Sequence, residues 1–184
     1  MIGVILSLRL CLAVSSTYPD IPKEHACTAA WAITHEAEHW DPFFVAALVA
    51  PESGFNYLKV NPRSGACGLG QVLYSRNPAR QKRLCHRNRV LRTARDSARA
   101  AIKKLNDAEE YCTELGGRRV ARQRGMSSCI IAGYVGGPSG VTALGANEEW
   151  VRNKIKSRLK NTEKIRMNAI GSRPGPMSIF RVET

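Results

Sequence analysis

Residues Asp41–Gln71 read DPFFVAALVAPESGFNYLKVNPRSGACGLGQ, and the expectations for the rest of the chain are built outward from them. An aspartate followed by proline predicts that a helix begins here, with Asp41 as the N-cap. The run Phe43–Ala50 is apolar nearly all round, which is typical of a core helix. One carboxylate, Glu52, follows at the end of this run. The pattern therefore predicts a buried helix that holds a single acid at the edge of a cleft.

The residues around and after Glu52 predict irregular backbone. Pro51 lacks a backbone donor and disfavours a helical residue before it, so we expect the helix to kink or stop near Ala50. Four glycines follow within residues 53–72, and three of them fall within the six positions 65–70. This density of glycine allows the backbone to approach a ligand closely.

Three motifs of this chain resemble motifs of the soluble lytic transglycosylases. Glu52–Asn56, ESGFN, resembles the E-S-x-F motif, and Ser64–Gln71, SGACGLGQ, resembles the S-x-x-G-A-x-G-L-M-Q motif. Ala132–Pro138, AGYVGGP, is similar to the A-Y-N-A-G-P motif, with one residue inserted before the tyrosine. Gly70 and Val135 depart from the pattern, because the family has methionine and asparagine there. The motifs occur in the family's order, and the likeness covers roughly residues 24–145.

The resemblance implies a mainly α, lysozyme-like single domain with a substrate cleft and lytic transglycosylase activity on peptidoglycan. In this family one glutamic acid protonates the glycosidic oxygen between N-acetylmuramic acid and N-acetylglucosamine. The same group, now a carboxylate, takes the proton of the muramic C6 hydroxyl, which closes a 1,6-anhydro ring. The resemblance assigns this role to Glu52 and implies neither a cofactor nor a metal. The implied substrate-binding or supporting residues are Ser53, Phe55, Gly68, Leu69, Gln71 and Tyr134.

The distribution of acidic residues fits a mechanism with one carboxylate. No Asp or Glu occurs between Glu52 and Asp96. Most glycosidases need a second carboxylate as nucleophile or base, so its absence from this region argues for a different second step. One residue can act first as acid and then as base. A hydrolytic muramidase on the same fold, in which water replaces the C6 hydroxyl, is the alternative.

A zinc-protease pattern also occurs in the chain. His35–His39 reads HEAEH and falls in a helix that we expect over Lys23–Trp40. Two histidines four residues apart on a helix can share a metal while the glutamate activates water. Neither a nearby third histidine nor a later glutamate at the usual spacing follows. We therefore interpret the pattern as a solvated polar face, and a zinc peptidase is the less favoured alternative.

The net charge of +13 suits a polyanionic partner, and the carboxylates of peptidoglycan are as eligible as nucleic acid or an anionic membrane. Much of the charge lies in Ala79–Lys104, where we expect the arginines to face solvent. This run has no aromatic residues for base stacking, so we expect glycan strands rather than nucleic acid as the partner. We expect a monomer. A non-catalytic basic module that binds the wall or nucleic acid is a further alternative.

The chain termini lie outside the resemblance. Residues 1–15, MIGVILSLRLCLAVS, are apolar and end in small residues, which fits a signal peptide, although Arg9 interrupts the run. The run is too short for a membrane span, which needs about 20 apolar residues. We expect the lysozyme-like domain over residues 22–170 and an irregular tail over 171–184. The protein is expected to be secreted, periplasmic or in the cell envelope, and a phage-associated role is compatible.

Six cysteines allow three disulfide bonds. Cleavage after Ser15 would remove Cys11 and leave an odd number. We expect several of the cysteines to be buried free thiols that pack as small apolar side chains.

Overall fold

The computed structural model describes residues 2–37, 39–114 and 116–170, and the predicted irregular tail, 171–184, lies outside this part. Of the residues that the structure describes, 73% are helical, which confirms the prediction of a mainly α, lysozyme-like fold. In the residues that the structure describes, β-structure is limited to two isolated β-bridges. The helices described are α1 (Ile2–Thr17), α2 (Lys23–Glu36), α3 (Pro42–Ser53), α4 (Pro78–Arg87), α5 (Ala94–Glu114), α6 (Arg118–Arg124), α7 (Met126–Gly145) and α8 (Glu149–Ile170).

The chain divides into two compact units. The first is built from the residues up to Ile102 together with the chain from Thr162 onward, and the second from Lys103–Asn161. Helices α1 to α4 belong to the first unit, α6 and α7 belong to the second, and the boundaries fall within α5 and α8. Each unit has its own buried residues and its own disulfide bonding.

Helix α3 is the buried centre of the first unit. The Asp41 carboxylate accepts hydrogen bonds from the backbone N–H groups of Phe43 and Phe44, at 3.1 and 3.2 Å, so the predicted N-cap is confirmed. Every residue from Phe44 to Ala50 is at most 5% exposed. The prediction of a core helix is confirmed as well.

The predicted stop near Ala50 is wrong. Helix α3 continues through Pro51 to Ser53 and ends at Gly54, which has φ 61° and ψ 34°. The N–H of Gly54 donates to the Ala50 carbonyl at 2.8 Å. Pro51 lies in the last turn, where its missing donor removes one helical hydrogen bond, and the left-handed glycine then supplies the C-terminal cap.

Helix α1 contains the predicted signal peptide and packs against α2 and α3. Its residues Leu10 and Val14 are fully buried, and Cys11 forms a disulfide bond with Cys27 of α2. Cleavage of this segment stays a prediction. Within the described part of the chain, no single helix is long and apolar enough to cross a membrane, and only α7 and α8 taken jointly, as a bent pair, satisfy that criterion.

The expectation of free thiols is wrong, because all six cysteines are paired. The Cα atoms of the pairs lie 4.4 to 6.4 Å apart, which is the normal range for a disulfide bond. Two bonds lie in the first unit and one lies in the second. The pairs are Cys11–Cys27, Cys67–Cys85 and Cys112–Cys129.

The helix expected over Lys23–Trp40 ends earlier, at Glu36. His39 therefore lies beyond the helix, and the two histidines do not have the one-face helical spacing that the zinc pattern requires. A ring nitrogen of His35 contacts the Trp31 carbonyl oxygen at 2.8 Å. The prediction of a solvated polar face is also wrong for Glu36, whose side chain is 9% exposed.

Glu36 joins α2 to α5 through two arginines. Its carboxylate accepts from Nε of Arg95 at 2.6 Å and from Nε of Arg99 at 3.0 Å. The Arg95 guanidinium also lies 5.7 Å from the centre of the Trp31 ring. The arginines of the basic run are exposed, as expected, but the charge of two of them is partly neutralised by an acid that lies about 60 residues earlier in the chain.

We predict that Glu36→Gln lowers the free energy of unfolding by about 1 kcal/mol near neutral pH, because the paired arginines are partly exposed. Burial alone would raise the pKa of the Glu36 carboxyl, but the hydrogen bonds and charges of Arg95 and Arg99 outweigh burial and hold the pKa below its ordinary value of 4.5. A lowered folded-state pKa stabilises the fold above pH 4.5, and this stabilisation is lost as the pH falls through the folded pKa. Urea unfolding at several pH values measures the difference.

The matched control is Glu110→Gln, since Glu110 is an exposed residue of α5. This control should change the unfolding free energy little at any pH. Equal stability of the wild type and Glu36→Gln near neutral pH, or a difference that grows as the solution is acidified, would contradict the role of the ion pair.

Candidate active site

Glu52 lies in the last turn of α3 and is half-buried, whereas residues 44–50 of the same helix are buried. Its backbone carbonyl accepts a hydrogen bond from the Lys59 ammonium at 3.0 Å. Carbonyls in the last turn of a helix lack intrahelical partners, and a cation is favourable at this negative end of the helix dipole. Lys59 therefore holds the helix end that carries the candidate acid. The sequence motifs did not indicate Lys59, because it is one lysine in an otherwise irregular segment.

Ser53 and Phe55 flank the cap of α3. The Ser53 hydroxyl is buried and donates to the Val49 carbonyl at 3.2 Å. Phe55 has φ 61°, which is uncommon for a residue with a side chain, and its buried ring meets Tyr18 edge-on at 5.9 Å between ring centres. Both side chains contact other protein groups. Of the two predicted roles, substrate binding and support of the site, support fits these contacts better, and it stays a prediction.

The glycine loop, residues 64–71, is built around Cys67. Isolated antiparallel bridges pair Cys67 with Val60 on one side and with Val72 on the other. Cys67 and Val72 exchange backbone hydrogen bonds of 3.2 and 2.9 Å. The N–H of Gly68 donates to the Lys59 carbonyl at 2.9 Å. Three short extended segments are thereby held side by side, and Lys59 connects them to the end of α3.

Gly68 occupies a position that has no room for a side chain. Its φ is +76°, and a Cβ atom there would lie 2.4 Å from Oγ of Ser97 and 2.6 Å from Cγ1 of Val90. The next residue, Leu69, is fully buried, and its N–H donates to Oγ of Ser97 at 2.8 Å. Ser97 belongs to α5 and was not predicted, because no local pattern marks a serine 28 residues away as a partner of the loop.

Gln71 fastens the glycine loop to the segment that follows α3. Its side-chain amide donates to the carbonyl oxygens of Gly68, at 3.0 Å, and Lys59, at 3.2 Å. The backbone of Gln71 is left-handed, with φ 46°. The structure thus brings together three of the predicted site residues, Gly68, Leu69 and Gln71, and connects them through Lys59 to the backbone of Glu52.

Gln81 of α4 was missed by the sequence analysis. It is fully buried, and Oε1 accepts from the N–H groups of Tyr74 and Ser75, at 2.7 and 2.9 Å. Its Nε2 donates to the Val72 carbonyl at 2.8 Å. Gln81 therefore fixes the exit of the glycine loop, and the Cys67–Cys85 disulfide bond attaches the loop to the same helix. A glutamine within a strongly basic run gives no sequence signal for such a role.

Tyr134 belongs to the second unit, where it lies on α7 and is buried. The Lys104 ammonium lies 4.4 Å from the centre of its ring. After Tyr134, α7 is interrupted at Gly137, which has φ 60° and ψ −153°, immediately before Pro138. The supporting role that the resemblance implies for Tyr134 stays a prediction.

The sequence model of the Transglycosylase SLT domain family matches residues 29–157. The chain belongs to this family. The matched region includes α3, the glycine loop and α7. The chain has no significant match among curated proteins or among solved structures. Membership in the SLT family identifies a transglycosylase-type enzyme and implies peptidoglycan as its substrate.

We predict that Gly68→Ala harms this SLT domain more than Gly54→Ala. Both glycines have positive φ, but a Cβ at Gly54 meets no atom within 4 Å, whereas one at Gly68 collides with Ser97 and Val90. Gly54→Ala should lower the free energy of unfolding by about 1 kcal/mol from backbone strain. Gly68→Ala should lower it by about 2–4 kcal/mol, because overpacking is added to the strain. Urea unfolding measures both, and equal losses would contradict the close approach at Gly68.

We also predict a specific role for the Cys67–Cys85 disulfide bond. It spans 18 residues and the Cys112–Cys129 bond spans 17, so replacing either pair by serines should lower the free energy of unfolding by about 3 kcal/mol. Only the loss of Cys67–Cys85 releases the glycine loop. Release of soluble fragments from peptidoglycan, measured where both variants are folded, should therefore fall for this variant alone. Equal activity of the two variants would rule out a role for this bond in positioning the loop.

Proposed function

We propose that the chain is a peptidoglycan lytic transglycosylase, a lyase that cleaves the β-1,4 bond between N-acetylmuramic acid and N-acetylglucosamine and leaves a 1,6-anhydro end. The observation that carries the proposal is the position of Glu52. It is half-buried at the end of a core helix, its backbone is held by Lys59, and residues 53–95 contain no other acid. Its place within the matched SLT region supports the same assignment.

In the proposed reaction, Glu52 acts twice. It first donates its proton to the glycosidic oxygen, the bond from the muramic C1 to that oxygen breaks, and N-acetylglucosamine leaves with a free 4-hydroxyl. The Glu52 carboxylate then accepts the proton of the muramic C6 hydroxyl while O6 bonds to C1. The anhydro ring closes without water and Glu52 returns to its acid form, so one group serves both steps.

The surrounding residues support this reaction by fixing the backbone. Gln71 and Gly68 hold the glycine loop against Lys59, and Lys59 holds the end of α3. A displacement of about 1 Å can strongly reduce the rate of a catalysed reaction, so this rigidity favours catalysis.

The proposal is tested by mass spectrometry of the fragments that the purified protein releases from peptidoglycan. The wild type and the exposed control Glu110→Gln should release fragments with anhydromuramic ends. Glu52→Gln should release them at least about 100-fold more slowly, because its amide cannot transfer the proton.

Other products would change the assignment. Reducing muramic ends would identify a hydrolytic muramidase with water as the acceptor. Release of no fragments by the wild type, with binding to peptidoglycan retained by Glu52→Gln, would favour a non-catalytic module that binds the wall.

We further propose that the enzyme acts outside the cytoplasm, in the periplasm or cell envelope or after secretion. Peptidoglycan lies in these compartments, and disulfide bonds such as Cys67–Cys85 and Cys112–Cys129, which lie outside the predicted signal peptide, are typical of proteins that fold in an oxidising environment. We expect it to act as a monomer on glycan strands.

A further inference from the structure

The exposed side of α4 carries a row of arginines. Arg80, Arg83 and Arg87 are all exposed, and we call them the α4 basic face. Their spacing of three and then four residues places them on one side of the helix. Within the described part of the chain, no ion pair involves any of the three. No acidic residue occurs from 53 to 95, so the chain supplies no local acid to neutralise this face.

Two arginines of α5, in contrast to those of α4, form ion pairs within the protein. Arg95 and Arg99 bind the carboxylate of Glu36, and Arg99 also lies 3.7 Å from the carboxylate of Asp96. These residues hold α2 and α5 together. Among the residues that the structure describes, no acid pairs with the α4 basic face in this way, so its charge is available for a partner.

Helix α4 is rigidly attached to the glycine loop. Gln81 and Cys85 lie four residues apart on the buried side of α4, and both contact the loop or its exit. The disulfide bond from Cys85 sets a Cα–Cα distance of 6.4 Å to Cys67. The helix therefore turns one side to the loop and the α4 basic face away from it. A ligand held on this face is therefore bound to a helix that is covalently attached to the glycine loop.

Peptidoglycan carries carboxylates that can bind these arginines. Each glycan strand carries short peptides on its muramic acid residues, and these peptide stems end in free carboxylates. The guanidinium group of arginine binds a carboxylate through two parallel hydrogen bonds, which lysine cannot do. Helix α4 contains no Phe, Tyr or Trp, so it lacks the stacking groups that proteins use to bind single-stranded nucleic acid.

We propose that the α4 basic face binds peptide-stem carboxylates of the same peptidoglycan that is cleaved at Glu52. This inference rests on the proposed function and adds a substrate contact to it. The stems, rather than the sugars, are then recognised by charge. The contact strengthens substrate binding without taking part in the reaction, so it affects KM and leaves kcat nearly unchanged.

The test compares two forms of one substrate. Soluble peptidoglycan fragments are used either with their free carboxylates or after chemical conversion of those carboxylates to neutral amides. The variant is Arg80→Gln/Arg83→Gln/Arg87→Gln. The matched control is Arg118→Gln/Arg119→Gln/Arg122→Gln, which removes the same charge from exposed positions of α6 in the second unit. Thermal unfolding by circular dichroism verifies that both proteins are folded.

We expect the α4 variant to raise KM about 3- to 10-fold on the carboxylate substrate, because each exposed ion pair contributes modestly. On the amidated substrate the variant and the wild type should have the same KM. The α6 control should match the wild type on both substrates. A variant with lysine at the three positions keeps the charge, so its KM should lie between those of the wild type and the glutamine variant.

Several results would overturn the inference. A KM that rises equally on both substrates, or equally for the α4 variant and the α6 control, would show that stem carboxylates are not bound at this face. Loss of binding to duplex DNA by the α4 variant, with KM on peptidoglycan unchanged, would assign the face to nucleic acid. Cleavage of neither substrate by the wild type would refute the proposed function itself, which separates that failure from a failure of the charge contact.

Discussion

The candidate active site depends on Lys59, where two parts of the first unit are joined. The Lys59 ammonium binds the carbonyl of Glu52, and the Lys59 carbonyl accepts from the Gly68 N–H and from the Gln71 amide. One residue thus fixes the end of the core helix to the glycine loop. Because these contacts involve the backbone at Glu52, they fix the position from which its side chain extends.

The glycine loop is held in a conformation that a chain does not adopt readily. Gly65, Gly68 and Gln71 all have positive φ, which costs of order 1–3 kcal/mol at Gln71, because Gln71 has a side chain and the two glycines do not. Contacts from outside the loop offset this cost, notably the hydroxyl of Ser97 and the amide of Gln81. The loop therefore keeps its shape through the helices that surround it. Strain concentrated in this way is common where a backbone must fit a ligand.

The sequence predicted features that depend on neighbouring residues and missed contacts between residues far apart in the chain. The Asp41 cap and the buried run before Glu52 follow from neighbouring residues, and both are confirmed. Ser97 and the partners of Glu36 lie 28 to 63 residues away from the groups they bind, so no spacing rule could indicate them. The stop expected near Ala50 is wrong, because the helix continues through Pro51 despite the hydrogen bond that proline removes, and Gly54 caps it beyond. The helix expected over Lys23–Trp40 also ended elsewhere than predicted, at Glu36, so the second histidine of HEAEH lies beyond it.

The disulfide connectivity has a consequence for how the chain is made. Six cysteines allow 15 complete pairings. This chain uses the pairing in which each cysteine joins the next one along the sequence, and every closed loop spans only 16 to 18 residues. Short loops close with a small entropy loss. Because the chain is synthesised from its N-terminus, each bond can form as soon as its second cysteine has been made. The cysteines of the next pair are not yet present to compete. The order of synthesis therefore favours the native set of bonds, and little reshuffling is needed.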